Sequence, residues 1–394
     1  MSTPILLLNC GSSSIKYQVI DVDTEAVVAS GIIQRIGEES GSLDHKLDGE
    51  TVHVDRGFPN HSRALNYLVR VFNAHGPELD TIRAVGHRTV HGGERFRSTV
   101  VIDDEVLEGL RELSPLAPLH NPPGIAGIEA AREALPDVPH VAIFDTAFFA
   151  TLPREAYTYA IDTETARAHG IRKYGFHGTS HSYVSKKVAE VLGRDYAELN
   201  QIVCHLGNGA SISAIRGGVA IDTSMGLTPL QGLVMGTRSG DVDPGLHAFL
   251  GRELGLDLAG VDNLLNKKSG MLGLSGVTDF RDLLELIHDG DEAAELALDV
   301  YCHRLLSYIG SYLAVLGRVD VLTFTAGVGE NNPVVRAKVV NRLAALGFVL
   351  DEQANQARSK DPRVISTPDS PVTVMVVPTN EELAMAREAK AAIS

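Results

Sequence analysis

The stretch Pro4-Ile-Leu-Leu-Leu-Asn-Cys-Gly-Ser-Ser-Ser-Ile-Lys-Tyr-Gln-Val-Ile-Asp21 carries the clearest structural signal in this sequence of 394 residues. It opens with an apolar run, Ile5–Leu8, that is short enough for a buried strand. A polar break and an alternating segment follow, and they predict a second strand. Because side chains alternate across a strand, Ser12, Ser14 and Lys16 are predicted to share one face of it. Hydroxyls, backbone N–H groups and a lysine at such a turn are typical of a phosphate cradle, and an ordinary hairpin with a polar turn is the alternative.

Length and composition indicate a globular protein with more than one domain. The 394 residues exceed the roughly 250–300 at which a single core stops growing, so two domains are expected. A net charge of −15 argues against nucleic acid as a partner. Cys10, Cys204 and Cys302 show no CxxC spacing, which fits reduced thiols in the cytoplasm. No apolar run approaches the roughly 18 residues of a membrane span, so we expect no membrane partner. The N-terminus has only four consecutive strongly apolar residues and no basic n-region, so we expect no secretory signal.

An internal echo predicts a duplicated fold. Gly209-Ala-Ser211 repeats the spacing of Gly11-Ser-Ser13 about half a chain later, and in both places an apolar strand precedes the glycine and a polar strand follows it. The strand predicted at residues 138–144 likewise resembles the one predicted at residues 319–325. We therefore expect two related α/β halves, each of which offers a turn to a shared cleft.

Glycine-rich turns follow three of the predicted strands, at residues 9–14, 207–209 and 327–331. Ligands bind at the carboxyl ends of strands in α/β sheets, so this recurrence favours a nucleotide site, although a plain connection would explain each turn alone. The P-loop pattern is absent, and Gly327-Val-Gly329 lacks the third glycine of a Rossmann fingerprint. The nucleophile-elbow pattern G-x-S-x-G is absent as well.

Seven motifs, spread in order over nearly the whole chain, resemble the motif series of the acetate kinase family. They are Asn9-x-Gly-Ser-Ser-Ser-x-Lys16, Gly86-His-Arg-x-Val-His-Gly-Gly93, Phe144-Asp-Thr-Ala-Phe148, Tyr174-Gly-Phe-His-Gly-Thr-Ser180, His205-Leu-Gly-Asn-Gly209, Gly236-Thr-Arg-Ser-Gly-Asp241 and Phe324-Thr-Ala-Gly-Val-Gly-Glu-Asn331. The resemblance implies the acetate/sugar kinase and actin superfamily. The expected fold is α/β, a duplicated ribonuclease-H-like (actin-like ATPase) fold with the active site in the cleft between two domains. Residues 1–150, completed by a C-terminal helix at about 380–394, would form the N-terminal domain, and residues 151–379 the nucleotide-binding and dimerisation domain.

The resemblance also implies a reaction. It is the reversible, Mg²⁺-dependent transfer of the γ-phosphoryl group of ATP to acetate, directly and in line, giving acetyl phosphate and ADP in a cytoplasmic homodimer. Mn²⁺ can substitute for Mg²⁺. A propionate kinase of the same family is the alternative, because one methylene in an apolar pocket is worth only about 1–3 kcal/mol. A non-catalytic nucleotide-binding regulator on the same fold is a more distant alternative, and it would be expected to lack a member of the catalytic set described next.

This chemistry needs cations aimed at two anions, the acceptor carboxylate and the γ-phosphate. Arg88 fits the carboxylate, which a guanidinium fork binds through two hydrogen bonds. Arg238 fits the phosphoryl oxygens like an internal arginine finger, and His177 is a candidate donor to the same oxygens. By resemblance these are the acetate-binding arginine and the two transition-state stabilisers. Without the resemblance, salt-bridged surface arginines and a turn histidine are the ordinary alternatives.

Asp145 and Glu381 are the carboxylates of the implied site. The family treats Asp145 as catalytic, but acetate is already ionised and needs no base, so we expect Asp145 to act by positioning through the metal or its waters. Thr379 is predicted to cap the final helix, which puts Glu382 at the capping-box position and leaves Glu381 free. By resemblance, Glu381 holds Mg²⁺ together with Asn9.

The remaining assignments come from the resemblance alone. The pocket for the acetate methyl group would be Val90, Leu119, Phe176 and Pro229. The ATP-binding residues would be Ser12, Ser14, Lys16, His205, Leu206, Gly207, Asn208, Gly209, Asp279, Phe280, Arg281, Gly327, Val328, Gly329, Glu330 and Asn331. Asp279 can hydrogen-bond ribose hydroxyls, or it can be an acid that complements a helix N-terminus.

Overall fold

The computed structural model describes residues 2–118 and 120–394. The chain folds into two units: unit 1 comprises Met1–Ala150 with Asn380–Ser394, and unit 2 comprises Thr151–Thr379. One mixed β-sheet lies at the centre of each unit. Among the described residues, the helices lack the length and apolar character needed to cross a membrane.

The strands are numbered along the chain. They are β1 (Pro4–Cys10), β2 (Ser14–Asp21), β3 (Ala26–Gln34), β4 (Ser42–Leu47), β5 (Glu50–Asp55), β6 (Ala84–Thr89), β7 (Val100–Val101), β8 (His140–Phe144), β9 (Asn200–Leu206), β10 (Ala210–Arg216), β11 (Val219–Thr223), β12 (Val321–Thr325), β13 (Arg363–Val364) and β14 (Thr373–Val376).

The α-helices are numbered in the same way. They are α1 (His61–His75), α2 (Asp104–Glu112), α3 (Asn121–Ala134), α4 (Arg154–Tyr157), α5 (Thr163–Ala168), α6 (Gly178–Leu192), α7 (Leu246–Leu254), α8 (Leu258–Lys267), α9 (Gly270–Ser275), α10 (Phe280–His288), α11 (Glu292–Leu316), α12 (Ala326–Asn331), α13 (Pro333–Val340), α14 (Glu352–Gln356) and α15 (Glu381–Ala392).

In unit 1 the strands run in the order β5-β4-β3-β2-β1-β6-β8-β7. The strands β1 to β5 form an antiparallel meander, and β1, β6 and β8 are parallel. The apolar run in β1 is buried on both faces, as predicted. Leu6 and Leu8 pack in one cluster with Leu68 of α1, whereas on the other face Leu7 and Ala389 of α15 approach the bare Cα of Gly86. A Cβ atom on Gly86 would lie 2.8 Å from Leu7 Cδ2 on the neighbouring strand β1, so this close approach of the Leu7 side chain requires glycine.

Unit 2 repeats the central part of this sheet. Its strand order is β11-β10-β9-β12-β14-β13, in which β9 and β10 form an antiparallel hairpin and β9, β12 and β14 are parallel. The series β3-β2-β1-β6-β8 in unit 1 therefore has the same order and direction as β11-β10-β9-β12-β14 in unit 2. The duplicated α/β fold is confirmed, and the helix expected over residues 291–317 is α11.

One detail of the predicted repeat is wrong. The sequence resemblance pairs the strand at residues 138–144, which is β8, with the strand at residues 319–325, which is β12. However, β12 lies beside β9 just as β6 lies beside β1, so β6 is the counterpart of β12, and β8 is the counterpart of β14. Strand order depends on pairing between distant segments, which the local resemblance of two strand ends does not determine.

Candidate functional site

The turn between β1 and β2 carries the first candidate residues. Asn9 at the end of β1 pairs with Lys16 on β2, and both residues are exposed. A hydrogen bond of 2.8 Å from the N–H of Gly11 to the carbonyl of Ser14 closes the turn. Because β2 begins only at Ser14, the prediction that Ser12 belongs to this strand is wrong, and Ser12 is an exposed residue of the turn itself.

Arg88 and Asp145 meet because β6 and β8 are neighbouring parallel strands. Asp145 directly follows β8, where its backbone N–H donates to the carbonyl of Thr89 over 3.0 Å. Nε and Nη2 of Arg88 donate to Oδ1 and Oδ2 of Asp145 over 3.0 and 2.9 Å. The charge of Asp145 is the main cause of the raised pKa of the Arg88 guanidinium. Both carboxylate oxygens of Asp145 are therefore bound to Arg88, a contact that the sequence did not predict.

Glu381 is a second carboxylate on the same guanidinium. Its Oε2 lies 3.3 Å from Nη2 of Arg88. Burial raises the pKa of Glu381, and the charge of Arg88 acts in the opposite direction. Since Asp145 and Glu381 share one positive charge, this part of unit 1 carries an excess of negative charge that a further cation would offset.

Arg88 and Glu381 line a cavity of about 750 Å³ in unit 1. Its lining includes Asn9, Lys16, Arg88, Glu381 and Glu382. Within residues 2–118 and 120–394, no group of three or more His, Cys, Asp or Glu side chains could hold a metal ion. Mg²⁺ does not require such a cage, because it commonly uses one or two carboxylates and completes its shell with water and substrate phosphates. The amide of Asn9 and the carboxylate of Glu381 fit that pattern.

The start of α15 corrects the capping prediction. Asn380, and not Thr379, is the N-cap residue, because its Oδ1 accepts a hydrogen bond of 2.9 Å from the N–H of Leu383. The helix begins at Glu381, so Glu382 is not at the capping-box position and its side chain is exposed. Thr379 and Asn380 are adjacent and both have side chains that commonly cap helices, so the sequence leaves the start of α15 ambiguous by one residue.

In unit 2, His177 is held from two sides. It is the N-cap residue of α6 and has φ = 59°, a left-handed conformation that is strained for a residue with a Cβ atom. Its ring stacks on His205, with the ring centroids 4.3 Å apart. Its Nδ1 lies 2.9 Å from Oγ of Ser211 on β10. The imidazole orientation is therefore fixed by both the stacking and the hydrogen bond.

Arg238 is presented by a tight turn of residues 235–239. The N–H of Met235 donates to the carbonyl of Arg238, and two backbone N–H groups of α9 donate to the carbonyls of Met235 and Gly236. Nη1 of Arg238 donates to the carbonyl of Pro229 over 3.1 Å. Burial lowers the pKa of the guanidinium. The turn thus holds a partly dehydrated cation in a defined position.

Arg238 and His177 converge on the turn between β9 and β10. A Cβ atom on Gly209 would lie 3.5 Å from Nη1 of Arg238 and 3.5 Å from Nε2 of His177. The loop that carries Arg238 approaches this turn through Gly236, where a Cβ atom would lie only 1.9 Å from Oδ1 of Asn208. An arginine and a histidine aimed at one point beside a glycine turn form a site for stabilising negative charge.

Two groups of the residues predicted to bind ATP, 205–209 and 327–331, lie at the carboxyl ends of the parallel strands β9 and β12. His205 and Leu206 end β9, and residues 207–209 form the following turn. His205 is buried, and its Nδ1 lies 2.8 Å from Oγ of Ser180. The structure brings α12, the helix that follows β12, against β9.

The segment at residues 327–331 is a short helix, α12, and not the predicted turn. Oε1 of Glu330 accepts a hydrogen bond of 2.8 Å from the N–H of Ala326, so this carboxylate caps the start of its own helix. Gly327 and Asn331 are exposed and linked by a hydrogen bond from Nδ2 to the carbonyl, while Val328 is half-buried and Gly329 is buried. The glycine content of this segment favours a turn, but hydrogen bonds between the backbone of α12 and the side chains of Glu330 and Arg336 stabilise a helix.

Asp279 lies at the N-terminus of α10, which is the structural role that the sequence offered as the alternative to ribose binding. Its Oδ1 accepts from the N–H of Arg281, so it is the N-cap residue of α10. The side chain of Arg281 donates to both carboxylate oxygens, which lowers the pKa of Asp279 to about 2. Phe280 turns inward and packs edge-on against Tyr301 of α11.

The residues assigned to the methyl pocket are distributed over the two units. Val90 follows β6 in unit 1 and is half-buried. Phe176 is buried next to His177, and Pro229 is half-buried and bound through its carbonyl to Arg238. Leu119 lies outside the described residues.

Several residues support this site without having been singled out in the sequence. Nε2 of His61 donates to the carbonyl of Gly11 over 2.8 Å. Ser211 contacts the rings of both His177 and His181. Arg336, which is 1 % exposed, donates to the carbonyls of residues 329 and 330 in α12. The echo around residues 209–211 was a signal for Ser211, whereas no sequence pattern distinguishes the buried arginine.

Comparison with known proteins agrees with the motif series. The model of the Acetokinase family matches residues 4–387. An acetate kinase of Clavibacter michiganensis subsp. michiganensis is 53% identical over 390 residues, covering 98% of each chain. The crystal structure of Porphyromonas gingivalis acetate kinase superposes with a TM-score of 0.96 at 44% identity and covers 100% of both chains. A propionate kinase of Francisella tularensis subsp. tularensis superposes with a TM-score of 0.92 at 41% identity over 99% of each chain. The chain belongs to the acetokinase family.

Proposed function

We propose that this chain is an acetate kinase that transfers the γ-phosphoryl group of ATP to acetate, reversibly and directly, giving acetyl phosphate and ADP. The observation that carries the proposal is the convergence of Arg238 Nη1 and His177 Nε2 beside Gly209. Phosphoryl transfer needs positioning and charge stabilisation more than a covalent partner, and this pair supplies both a cation and a hydrogen-bond donor. The names of the closely related enzymes support acetate as the acceptor.

Arg88 is the proposed anchor for the acetate carboxylate. Its Nε and Nη2 are bound to Asp145, and within residues 2–118 and 120–394 its Nη1 has no hydrogen-bond partner. Acetate would bind the remaining N–H groups of this fork. Asp145 then acts by holding Arg88 in orientation, since an ionised acceptor needs no general base.

Asn9 and Glu381 are the proposed ligands of Mg²⁺, and Mn²⁺ would serve in its place. A divalent ion supplies charge neutralisation for the phosphates. The support for this position is the pair of carboxylates, Asp145 and Glu381, that share the single charge of Arg88. Burial raises the pKa of Glu381, and the charge of Arg88 opposes that rise.

ATP is the proposed phosphoryl donor. Residues 205–209 and 327–331 would hold the nucleoside and the inner phosphates, and the hydroxyls of Ser12 and Ser14 with Lys16 would meet the outer phosphates. Segment 279–281 is also assigned to ATP, and in it Arg281 donates a hydrogen bond to Asp279. Unit 2 is therefore the proposed nucleotide-binding domain.

A cytoplasmic homodimer is the proposed state of the enzyme. Three free cysteines fit a reducing compartment. In unit 2, α7 and α8 leave Leu254 and Leu258 64% and 83% exposed, which favours self-association through these helices. The net charge of −15 gives no basis for a nucleic-acid partner.

Propionate kinase remains the second candidate, because the Francisella tularensis propionate kinase is 41% identical over 99% of each chain. The two acids differ by one methylene, which an apolar pocket distinguishes by only about 1–3 kcal/mol. Val90, Phe176 and Pro229 are the described residues proposed to set this preference. A comparison of kcat/KM for the two acids decides between the candidates.

The test of the proposed function is trapping of acyl phosphate with hydroxylamine. Purified chain, ATP and Mg²⁺ are incubated with acetate, propionate or butyrate, and hydroxamate formation is measured. We expect the highest kcat/KM with acetate and loss of product in Arg238→Ala. Absence of product with every acid would refute the proposal, and a higher kcat/KM with propionate would favour the second candidate.

A further inference from the structure

Four side chains form a continuous hydrogen-bonded row in unit 2. Oγ of Ser213 lies 2.7 Å from Nδ1 of His181, and Nε2 of His181 lies 2.7 Å from Oγ of Ser211. Oγ of Ser211 in turn lies 2.9 Å from Nδ1 of His177. The two histidines are one helical turn apart at the start of α6, and the two serines are on the same face of β10. The row therefore follows directly from packing the helix N-terminus against this strand.

The middle of the row is fully buried and electrically neutral. Ser213, His181 and Ser211 are each 0% exposed. Burial keeps the pKa of His181 well below its ordinary value. A neutral imidazole has one N–H donor and one acceptor nitrogen, so His181 must accept a hydrogen bond from one serine and donate one to the other.

The far end of the row determines which way these hydrogen bonds run. Among the residues that the structure describes, Nδ1 of His181 is the sole hydrogen-bond partner of the Ser213 hydroxyl. If Ser213 only accepted, its own O–H would be left buried without a partner, which costs more than leaving a lone pair unused. Ser213 therefore donates to Nδ1, and His181 carries its hydrogen on Nε2 and donates to Ser211. The hydroxyl of Ser211 is then directed at Nδ1 of His177.

We propose that His181 and Ser211, oriented by Ser213, are positioning residues that hold His177 as the neutral tautomer with its hydrogen on Nε2. Nε2 is the nitrogen that shares the point beside Gly209 with Nη1 of Arg238. The importance of this tautomer rests on the proposed function, in which Nε2–H donates to an oxygen of the transferring phosphoryl group.

The row opposes the preference that His177 would otherwise have. The nearby Arg238 cation favours a lone pair on Nε2, because a guanidinium attracts an acceptor and repels another N–H. Such a ring would carry its hydrogen on Nδ1 and would be unable to donate to a phosphoryl oxygen. Donation from Ser211 to Nδ1 excludes this tautomer before any substrate binds.

The tautomers can be measured directly by nitrogen–proton NMR on the full chain with isotope-labelled histidine and without substrates. His177→Gln identifies the His177 signals by their disappearance. We expect a protonated Nε2 and an unprotonated Nδ1 for both His177 and His181. In Ser211→Ala we expect His177 to shift towards the Nδ1–H tautomer, and in Ser211→Thr, which keeps the hydroxyl, to return to the Nε2–H tautomer.

Kinetics supply the second readout. In Ser211→Ala, kcat should fall by about tenfold, the fold-change that loss of one hydrogen bond produces, while KM for ATP stays unchanged. Ser185→Ala is the matched control, because Ser185 is equally buried on α6 but bonds to Ser182 and Tyr196 outside the row, and it should keep the wild-type kcat. An Nδ1–H tautomer of His177 in the wild-type chain, or an unchanged tautomer in Ser211→Ala, would overturn the inference. These spectra do not depend on turnover, so failure of the acyl phosphate assay would refute the proposed function separately.

Discussion

Nε and Nη2 of Arg88 donate to the two carboxylate oxygens of Asp145 over 3.0 and 2.9 Å, so one whole edge of the guanidinium is occupied by a side chain that the sequence places 57 residues away. The Asp145 side chain is 5% exposed. A planar fork bound along one edge cannot rotate, and its other edge then points in a fixed direction. We therefore propose that Asp145 orients Arg88, the arginine proposed to bind acetate.

Asp145→Asn should weaken acetate binding and slow the reaction. The amide would present N–H groups to an arginine that can only donate, so one of the two hydrogen bonds becomes a donor–donor contact. We expect kcat/KM for acetate to fall by about two orders of magnitude, the scale for breaking a buried charge pair, with a raised KM for acetate. Steady-state kinetics over a range of pH check this result.

The pH profile of the same variant separates positioning from base catalysis. Because acetate is already ionised, Asp145→Asn should not remove a titrating group from the profile. Arg88→Lys is the companion variant, because it keeps the charge and loses the fork, and it should raise KM for acetate as well. An unchanged KM for acetate together with loss of one ionisation would contradict this role.

Glu381 and Glu382 provide a matched pair for the metal. Glu381→Gln removes the half-buried carboxylate that approaches Arg88, and the Mg²⁺ concentration that gives half the maximal rate should rise by at least about tenfold. Glu382 lies next to it but is exposed and outside the capping interaction, so Glu382→Gln should leave that concentration unchanged. Equal effects of the two changes in a Mg²⁺ titration would argue against Glu381 as a ligand.

Arg336→Met should destabilise unit 2 and loosen α12. The guanidinium donates to the carbonyls of Gly329 and Glu330 and to the side chain and carbonyl of Asn355. Methionine fills much of the volume but leaves these buried acceptors unsatisfied, so we expect a loss of about 2–4 kcal/mol in the free energy of unfolding and a raised KM for ATP. Denaturant unfolding measures the first effect.

The control for that change is Arg342→Met, because Arg342 is exposed. Its effect on the free energy of unfolding should be small. We expect the two variants to differ in stability because Arg336 is buried and bound to four acceptors, whereas both changes remove one positive charge. A loss of stability of the same size in both variants would remove that explanation.

Stability should fall as the pH drops below about 6.5, the ordinary pKa of histidine. Burial lowers the pKa values of His87 and His181 well below that figure, so the unfolded chain takes up protons in a range where the folded chain does not. Proton uptake by the unfolded state favours unfolding, and each histidine contributes about 1.4 kcal/mol per pH unit until the pH reaches its folded pKa. Denaturation midpoints measured from pH 7 to 5 check the slope.

His87→Leu removes one of these two histidines. The slope of the unfolding free energy against pH should therefore decrease by the contribution of one histidine. The exposed His247 offers a control in His247→Gln, which should leave the slope unchanged. Comparing slopes is more informative than comparing absolute stabilities, because His87→Leu also breaks the hydrogen bond between His87 and His140. An unaltered slope in His87→Leu would show that His87 is not one of the groups responsible.

The first hairpin was predictable because its signals are local. An apolar run, a glycine and an alternating segment lie within eighteen residues, and each is read without knowledge of the rest of the chain. The equivalence of β8 with β12 failed for the opposite reason: strand order depends on which distant segments pair. The cap at Asn380 was missed by one residue because Thr379 also has a capping side chain, and only the backbone decides where the helix starts.

The sequence named candidate site residues but not the contacts between them. The motifs contain Arg88 and Asp145, and Glu381 was assigned by the family resemblance, but nothing in their spacing indicated that one guanidinium binds both carboxylates. Residues 327–331 were expected as a turn, because glycine favours turns and the anchor at Arg336 follows only from tertiary packing. Hydrogen bonds between side chains on different elements are the information that a single sequence lacks.

We propose that the carboxylate of acetate attacks the γ-phosphorus of ATP. Acetate labelled with heavy oxygen in its carboxylate, incubated with the chain, ATP and Mg²⁺, tests this claim through phosphorus NMR of the product. We predict acetyl phosphate in which the labelled oxygen bridges carbon and phosphorus, formed in equal amount with ADP and reduced about a thousandfold in rate by Arg238→Ala. Formation of ADP without labelled acetyl phosphate, or no reaction of ATP with acetate, would contradict the account.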